Sequence, residues 1–306
     1  MSIIQRLMEK KQQEKSGQNT SPSKKHERGD RAARPRKELK NRKIKEPIQK
    51  PSINTNKPVS GQARSKHQML FDFDDLEKQG FLIPSSSDSQ LAEEYRRIKR
   101  PLLVNAFDED SPSINNSNIM LVTSSLPNEG KTFTALNLAM SISMELDKTV
   151  LLVDADLQVA GLTNQLDLKG AAGLADVLNH EDVELSDIIH RTNVENLRVI
   201  PAGNRKPNSA ELLASNDMQL LLYDLSSKYP DRVIIFDSPP LLARSESSFL
   251  AKQLGQVVVV VEAEQTPQSI VKEALEQLEE CEIVNLVLNK RHNRPGMTYH
   301  GGYYGY

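Results

Sequence analysis

From about residue 80 onward, short apolar runs alternate with stretches whose apolar residues recur every three or four positions. The runs predict strands over Asn118–Ser124, Thr149–Asp154, Asn196–Pro201, Arg232–Asp237, Gln256–Glu262 and Ile283–Asn289. The stretches between them predict helices near Lys131–Leu146, Gly173–Leu178, Ala210–Lys228, Glu246–Leu254 and Pro267–Glu280. Val257–Val261 is apolar at consecutive positions, as expected of a strand covered on both faces. This alternation predicts an α/β fold, a mostly parallel sheet flanked by helices, with ligands at the carboxyl ends of the strands. One further helix is expected over residues 85–100, where Ser85–Asp88 offer caps and Leu91, Tyr95, Ile98 and Leu102 share a face. Pro101 is expected to end or kink it.

Residues 1–80 read differently. Ile3, Ile4, Leu7 and Met8 fall on one face of a short initial helix within residues 1–13. Residues 14–67 are Lys-, Arg-, Ser-, Pro- and Asn-rich, with too little apolar surface to offset ordering entropy, and are expected to be disordered. Residues 1–67 hold 19 Lys and Arg against 6 Asp and Glu, a net of +13, and the rest of the chain holds 20 against 35, a net of −15. The overall net charge of −2 hides a basic segment joined to an acidic body. That segment suits acidic lipid headgroups, nucleic acid, an acidic partner or simply a solvated linker, and no specific nucleic acid is expected. No apolar run is long enough to span a bilayer, and the first residues lack a signal-peptide pattern. The lone Cys281 excludes an internal disulfide framework and a multi-cysteine zinc site. A reducing cytoplasmic compartment is therefore expected.

The sharpest local signal is Ser125-Leu-Pro127-Asn128-Glu129-Gly130-Lys131-Thr132, between an apolar strand and a helix that starts near Phe133. Strand, loop and helix in that order are the context of a phosphate-binding loop, whose backbone N–H groups and helix N-terminus cradle an anion. Lys131 would reach the β- and γ-phosphates and the Thr132 hydroxyl would bind Mg²⁺. Ser125 stands where the pattern usually has its first glycine. Two other strands end in acids, one in Asp154-Ala-Asp156 and one in Asp237-Ser-Pro-Pro. A parallel sheet puts these carboxylates on the edge that carries the loop. Nucleotide-bound Mg²⁺ takes a hydroxyl, one or two carboxylates and phosphate oxygens, which gives Thr132, Asp154 and Asp237 as metal candidates. Lys131, Asp154, Asp156 and Asp237 form the catalytic candidate set.

From about residue 85 to its end the chain resembles the cytoplasmic domain of the bacterial Walker-type tyrosine kinases, and within them the exosortase-associated autokinases. The motifs that carry the resemblance are SSLPNEGKT, LLVDADLQVAG, VIIFDSPP, the segment LRVIPAGNRKPNSAELLAS, the Glu93-Glu-Tyr-Arg96 helix and a terminus of clustered tyrosines. The resemblance implies a P-loop fold of the ParA/MinD type. It implies ATP and Mg²⁺ as cofactors and a kinase domain over residues 81–292. It implies autophosphorylation in trans of Tyr299, Tyr303, Tyr304 and Tyr306, within a flexible tail over 293–306. It implies a ring assembled through Glu93, Arg96 and Lys99, and control of exopolysaccharide synthesis and export. The implied partners are a separate membrane-embedded chain-length or co-polymerase protein and a tyrosine phosphatase. The implied location is cytoplasmic, peripheral to the inner membrane. Asn289 resembles the asparagine that reads the adenine edge in related ATPases, and equally suits an ordinary strand-end turn.

Two departures stand out. After Asp156 the family commonly has Leu-Arg-Arg/Lys-Pro, where this chain has Leu157-Gln158-Val159-Ala160. Lys99 replaces a second arginine in the assembly helix. Two other readings share the loop and acid set: a ParA/MinD-like ATPase switch, and an ATP-binding scaffold without catalysis. The first usually carries an extra lysine early in the loop, where Ser125-Leu126 stand here.

Overall fold

A computed structural model of the chain describes residues 68–108, 115–181, 183–205, 207–228 and 231–291. The initial helix, the basic segment and the tyrosine tail expected from sequence lie outside these residues.

Among the described residues the elements run α1 (Phe73–Lys78), a single 3-10 turn (Pro84–Ser86), α2 (Gln90–Phe107), β1 (Ile119–Ser124), α3 (Lys131–Ser143), β2 (Thr149–Asp154), α4 (Gly161–Gln165), α5 (Leu174–Leu178), α6 (Leu185–Ile188), β3 (His190–Arg191), β4 (Leu197–Ile200), α7 (Ser209–Leu213), α8 (Asn216–Lys228), β5 (Arg232–Asp237), α9 (Glu246–Ala251), β6 (Gln256–Glu262), α10 (Gln268–Glu276) and β7 (Val284–Asn289). The strands form one sheet in the order β3-β4-β2-β5-β1-β6-β7. Every pairing is parallel except β3 with β4.

Side chains alternate across this sheet, so each central strand feeds two cores. Ile119 and Leu121 of β1 face one layer, with the apolar sides of α5, α7, α8, α9 and α10. Met120 and Val122 face the other, with α1, α2 and α3. Both layers are buried, which is why the strands read as unbroken apolar runs.

The structure differs from the sequence reading in four places. The folded body includes residues from Gln68 onward, ahead of the boundary expected near residue 80. Gln68 bridges to Arg191, and Met69, Phe71 and Leu76 are buried in the second core. Helix α2 continues through Pro101 to Phe107. A proline removes only one backbone donor, and Leu102, Leu103, Ala106 and Phe107 hold the last turns against the core. The helix expected over 210–228 is two helices, because the Ser215 hydroxyl accepts from Met218 N (3.2 Å) and caps the second. Strand β3 is two residues of antiparallel edge that no sequence pattern marks.

Candidate nucleotide and phosphoryl-transfer site

β1 delivers the loop and α3 starts from it. Gly130 caps α3 with φ 94°, and a Cβ there would lie 2.1 Å from Asn289 Nδ2, so only glycine fits. Asn128 is also left-handed at φ 68°. Asn289 Nδ2 donates to the Glu129 carbonyl at 2.9 Å. Its side-chain amide therefore holds the loop itself, a role neither sequence reading assigned. Phe133 turns its ring to Phe81, centroids 4.9 Å apart, and leaves only its backbone at the helix start. Pro127 and Asn128 are exposed on the loop's outer side.

The three acids converge as expected, with unequal roles. Asp154 and Asp237 are register partners on neighbouring strands, and both are fully buried. Asp154 is committed: Oδ2 accepts from Thr163 N (2.8 Å) and Thr163 Oγ1 (2.7 Å), and Oδ1 accepts from Asp156 N (3.1 Å). Thr163 Oγ1 in turn accepts from Ala202 N at 2.8 Å, tying β2, α4 and the end of β4 together. Asp156 Oδ1 accepts from Val159 N (3.1 Å), while Oδ2 faces Lys131 Nζ at 4.0 Å. Asp237 is the outlier, since neither of its oxygens has a hydrogen-bond partner. Burial first, then the charge of Asp154, pushes the Asp237 carboxyl well above the usual range. The charge of Lys131 and the nearby Thr132 hydroxyl oppose that shift. Burial likewise raises Asp154, against the pull of its Thr163 hydrogen bonds.

A buried carboxylate with no partner is costly and is usually kept for a ligand. Asp237 sits beside the loop, Lys131 and Thr132, so the set fits a nucleotide phosphate carrying Mg²⁺. The Ser125 hydroxyl, which replaces the usual glycine, is also buried without a partner in the same loop. Among the described residues no group of three or more acids, histidines or cysteines is arranged to hold a metal ion by itself. An ion held here would take Asp237 and Thr132 from the chain and its remaining ligands from a bound phosphate.

The departure after Asp156 is a departure of backbone as well. Ala160 has φ 52°, and its N–H donates to the Asp156 carbonyl at 2.7 Å. The proline common in the family permits neither. Gln158 Nε2 donates to Ser209 Oγ (2.8 Å) at the start of α7, so the exchanged residue is a neutral strut.

The candidate assembly helix is split. Glu93 and Arg96 pair at 2.6 Å on the surface, with Arg96 also on the Ser87 carbonyl and Arg97 on Glu93 (3.5 Å). Lys99 is buried instead, its Nζ donating to the Ser141 carbonyl (2.6 Å) and paired with Glu145 (2.6 Å). Lys99 thus joins α2 to the end of α3: its ammonium is buried, with two of its three donors engaged by a carbonyl and a carboxylate, whereas Glu93 and Arg96 lie on the surface. The four tail tyrosines lie outside the described residues.

A family model described as an AAA domain matches residues 128–290. The chain is 31% identical over 216 residues to the tyrosine-protein kinase YwqD of Bacillus subtilis (strain 168), covering 70% of this chain and 86% of that one. It is 29% identical to the tyrosine-protein kinase wzc of Salmonella typhimurium, covering 62% of this chain and 26% of that longer relative. Among solved structures, the kinase domain of the Escherichia coli tyrosine kinase ETK superposes with a TM-score of 0.62 at 27% identity, over 78% of this chain and 93% of that one. The loop, the strand-end acids and the sheet order thus agree with sequence relatedness over most of the folded body, and the chain belongs to the bacterial Walker-type tyrosine-protein kinases.

Proposed function

We propose that this kinase binds ATP with Mg²⁺ and transfers the γ-phosphoryl group to the tyrosines of its own C-terminal cluster, in trans within a ring. The unpartnered carboxylate of Asp237 beside Lys131 is the observation that carries the nucleotide part. Phosphoryl transfer is mostly positioning and charge neutralisation. The loop amides and Lys131 hold the phosphates. Asp237 and the Thr132 hydroxyl would hold Mg²⁺, which would supply positive charge to offset the charge developing on the phosphate oxygens. Asp154 is a positioning residue, since Thr163 and Asp156 already occupy both of its oxygens. The approach of Asp156 Oδ2 to Lys131 supports Asp156 as the residue that orients an acceptor hydroxyl. A tyrosine hydroxyl titrates near about 10, so a carboxylate that receives its proton during transfer lowers the barrier.

The resemblance supports a place in exopolysaccharide synthesis and export. The same resemblance supports a membrane-embedded chain-length or co-polymerase partner, peripheral attachment to the inner membrane through it, and reversal by a tyrosine phosphatase. Among the described residues no helix is long and apolar enough to cross a membrane. Incubation of pure protein with ATP and Mg²⁺, followed by phosphotyrosine blotting, tests the transferase reading. Signal is expected for wild type and none for Lys131→Met with an unchanged melting curve. Normal labelling of a folded Lys131→Met protein defeats the site.

A further inference from the structure

We infer that the Glu129 carboxylate and the Thr266 hydroxyl form a latch that holds the phosphate loop in its receptive shape from the ends of β6 and β7. This rests on the reading of the loop as the nucleotide-phosphate site, and it adds the residues that position it.

Glu129 sits in the middle of the loop, where a carboxylate pointing at the anion would repel it. Its side chain instead turns inward and is 2% exposed. One oxygen accepts from Leu126 N at 2.6 Å, closing the loop across its own mouth. The other accepts from the Thr266 hydroxyl and from Glu262 N at 3.3 Å, both just beyond the core of β6. The backbone is gripped from β7 as well. Asn289 donates to the Glu129 carbonyl at 2.9 Å, and Lys290 Nζ donates to the Asn128 carbonyl at 2.5 Å while pairing with Glu262 at 3.2 Å. Asn128 and Gly130, on either side of Glu129, both hold left-handed backbone. An L-residue there is strained, and such a conformation persists only where its surroundings over-determine it. The latch supplies that constraint. With both carbonyls drawn outward and the carboxylate facing away, the loop N–H groups remain to face a phosphate.

Glu129 and Thr266 act through the loop and are positioning residues. Loosening the latch weakens the phosphate cradle equally in ground and transition states, which raises KM and leaves kcat in place. The experiment compares wild type, Glu129→Ala, Thr266→Val, Thr266→Ser and Lys131→Met. It measures melting of the ligand-free protein, Kd for Mg²⁺–ADP by titration, and KM and kcat for Mg²⁺–ATP. Glu129→Ala is expected to raise Kd and KM about tenfold, the loss of one or two charge-assisted hydrogen bonds, with kcat within about twofold. Thr266→Val is expected to raise both by a smaller factor, and Thr266→Ser to return them to wild type. A lowered melting point with wild-type Kd, or a Thr266→Val protein indistinguishable from wild type, overturns the latch. If Glu129→Ala does not fold, the Thr266 pair decides alone. Lys131→Met separates the two levels. If it keeps wild-type affinity the phosphate-site reading fails, whereas loss there with intact Glu129→Ala and Thr266→Val binding overturns the latch only.

Discussion

Asp237 and Asp154 are ionisable groups whose burial favours the neutral form in the folded chain. A carboxyl raised on folding binds more protons folded than unfolded, so stability falls as pH rises from about 4 through the folded value. The ligand-free protein is therefore expected to lose melting temperature from pH 5 to pH 8. Asp237→Asn is expected to flatten that slope and to melt above wild type at pH 8, because it removes a buried charge without a partner. It should also abolish Mg²⁺-dependent labelling. A variant less stable than wild type at pH 8 with an unchanged slope contradicts the assignment. Ala160 carries a second prediction. Its φ of 52° costs a non-glycine residue about 1–2 kcal/mol, part of which glycine returns as unfolded-state entropy. Ala160→Gly should be neutral to slightly stabilising in thermal melts. Ala160→Pro, which restores the commoner family residue, should be destabilising by about 3 kcal/mol and lower phosphotransfer, since it also removes the bond to Asp156.

Between elements, the α2–α3 junction separates two roles that one sequence motif had joined. Lys99→Ala should destabilise the fold by about 1–3 kcal/mol by leaving a buried carbonyl and Glu145 unpaired, read by denaturant melts. Glu93→Ala with Arg96→Ala removes a surface pair, so melting should barely move while light scattering reports loss of assembly. Unchanged scattering returns the pair to an ordinary surface contact. The central strands were legible because two covered faces demand unbroken apolar runs, as in Val257–Val261, and the loop because its glycine and lysine stand between such a run and a helix. What the sequence could not show are contacts between distant residues. Thr163 on Asp154, Thr266 on Glu129 and Lys99 on Ser141 join positions whose separation along the chain carries no periodicity. Nor could it show which acid stays unpartnered, since Asp154 and Asp237 both read as strand-end aspartates. Strand β3 was illegible because two residues hold too little pattern, and its pairing with β4 supplies what its sequence lacks.

For the whole molecule, the decisive question is whether the proposed tail phosphorylation is carried out by the same chain or by a neighbour. Thirteen residue steps separate Asn293 from Tyr306, a maximal extended span of about 45 Å. Transfer in trans, as proposed, requires the acceptor to reach a neighbour's site, and that span is the upper limit of its reach. A Lys131→Met chain with its tail, mixed with an active chain truncated after Pro295, should acquire phosphate on the inactive partner's tail. If it stays unlabelled while wild type labels itself, transfer in trans is wrong. Each phosphate adds about −1.5 to −2 charges to a body that is already acidic, so labelling should loosen assembly, more at low salt than at high.

The sheet order has one more consequence. Gln68 enters beside Arg191 on β3, and the last described residue, Arg291, follows β7, so the two attachments stand on opposite rims of seven strands. Six strand spacings put about 29 Å between those rims. A molecule anchored by one rim leaves the other unobstructed. A tether fixed at Gln68 therefore stands a full sheet's width from the end of β7 that leads to Arg291.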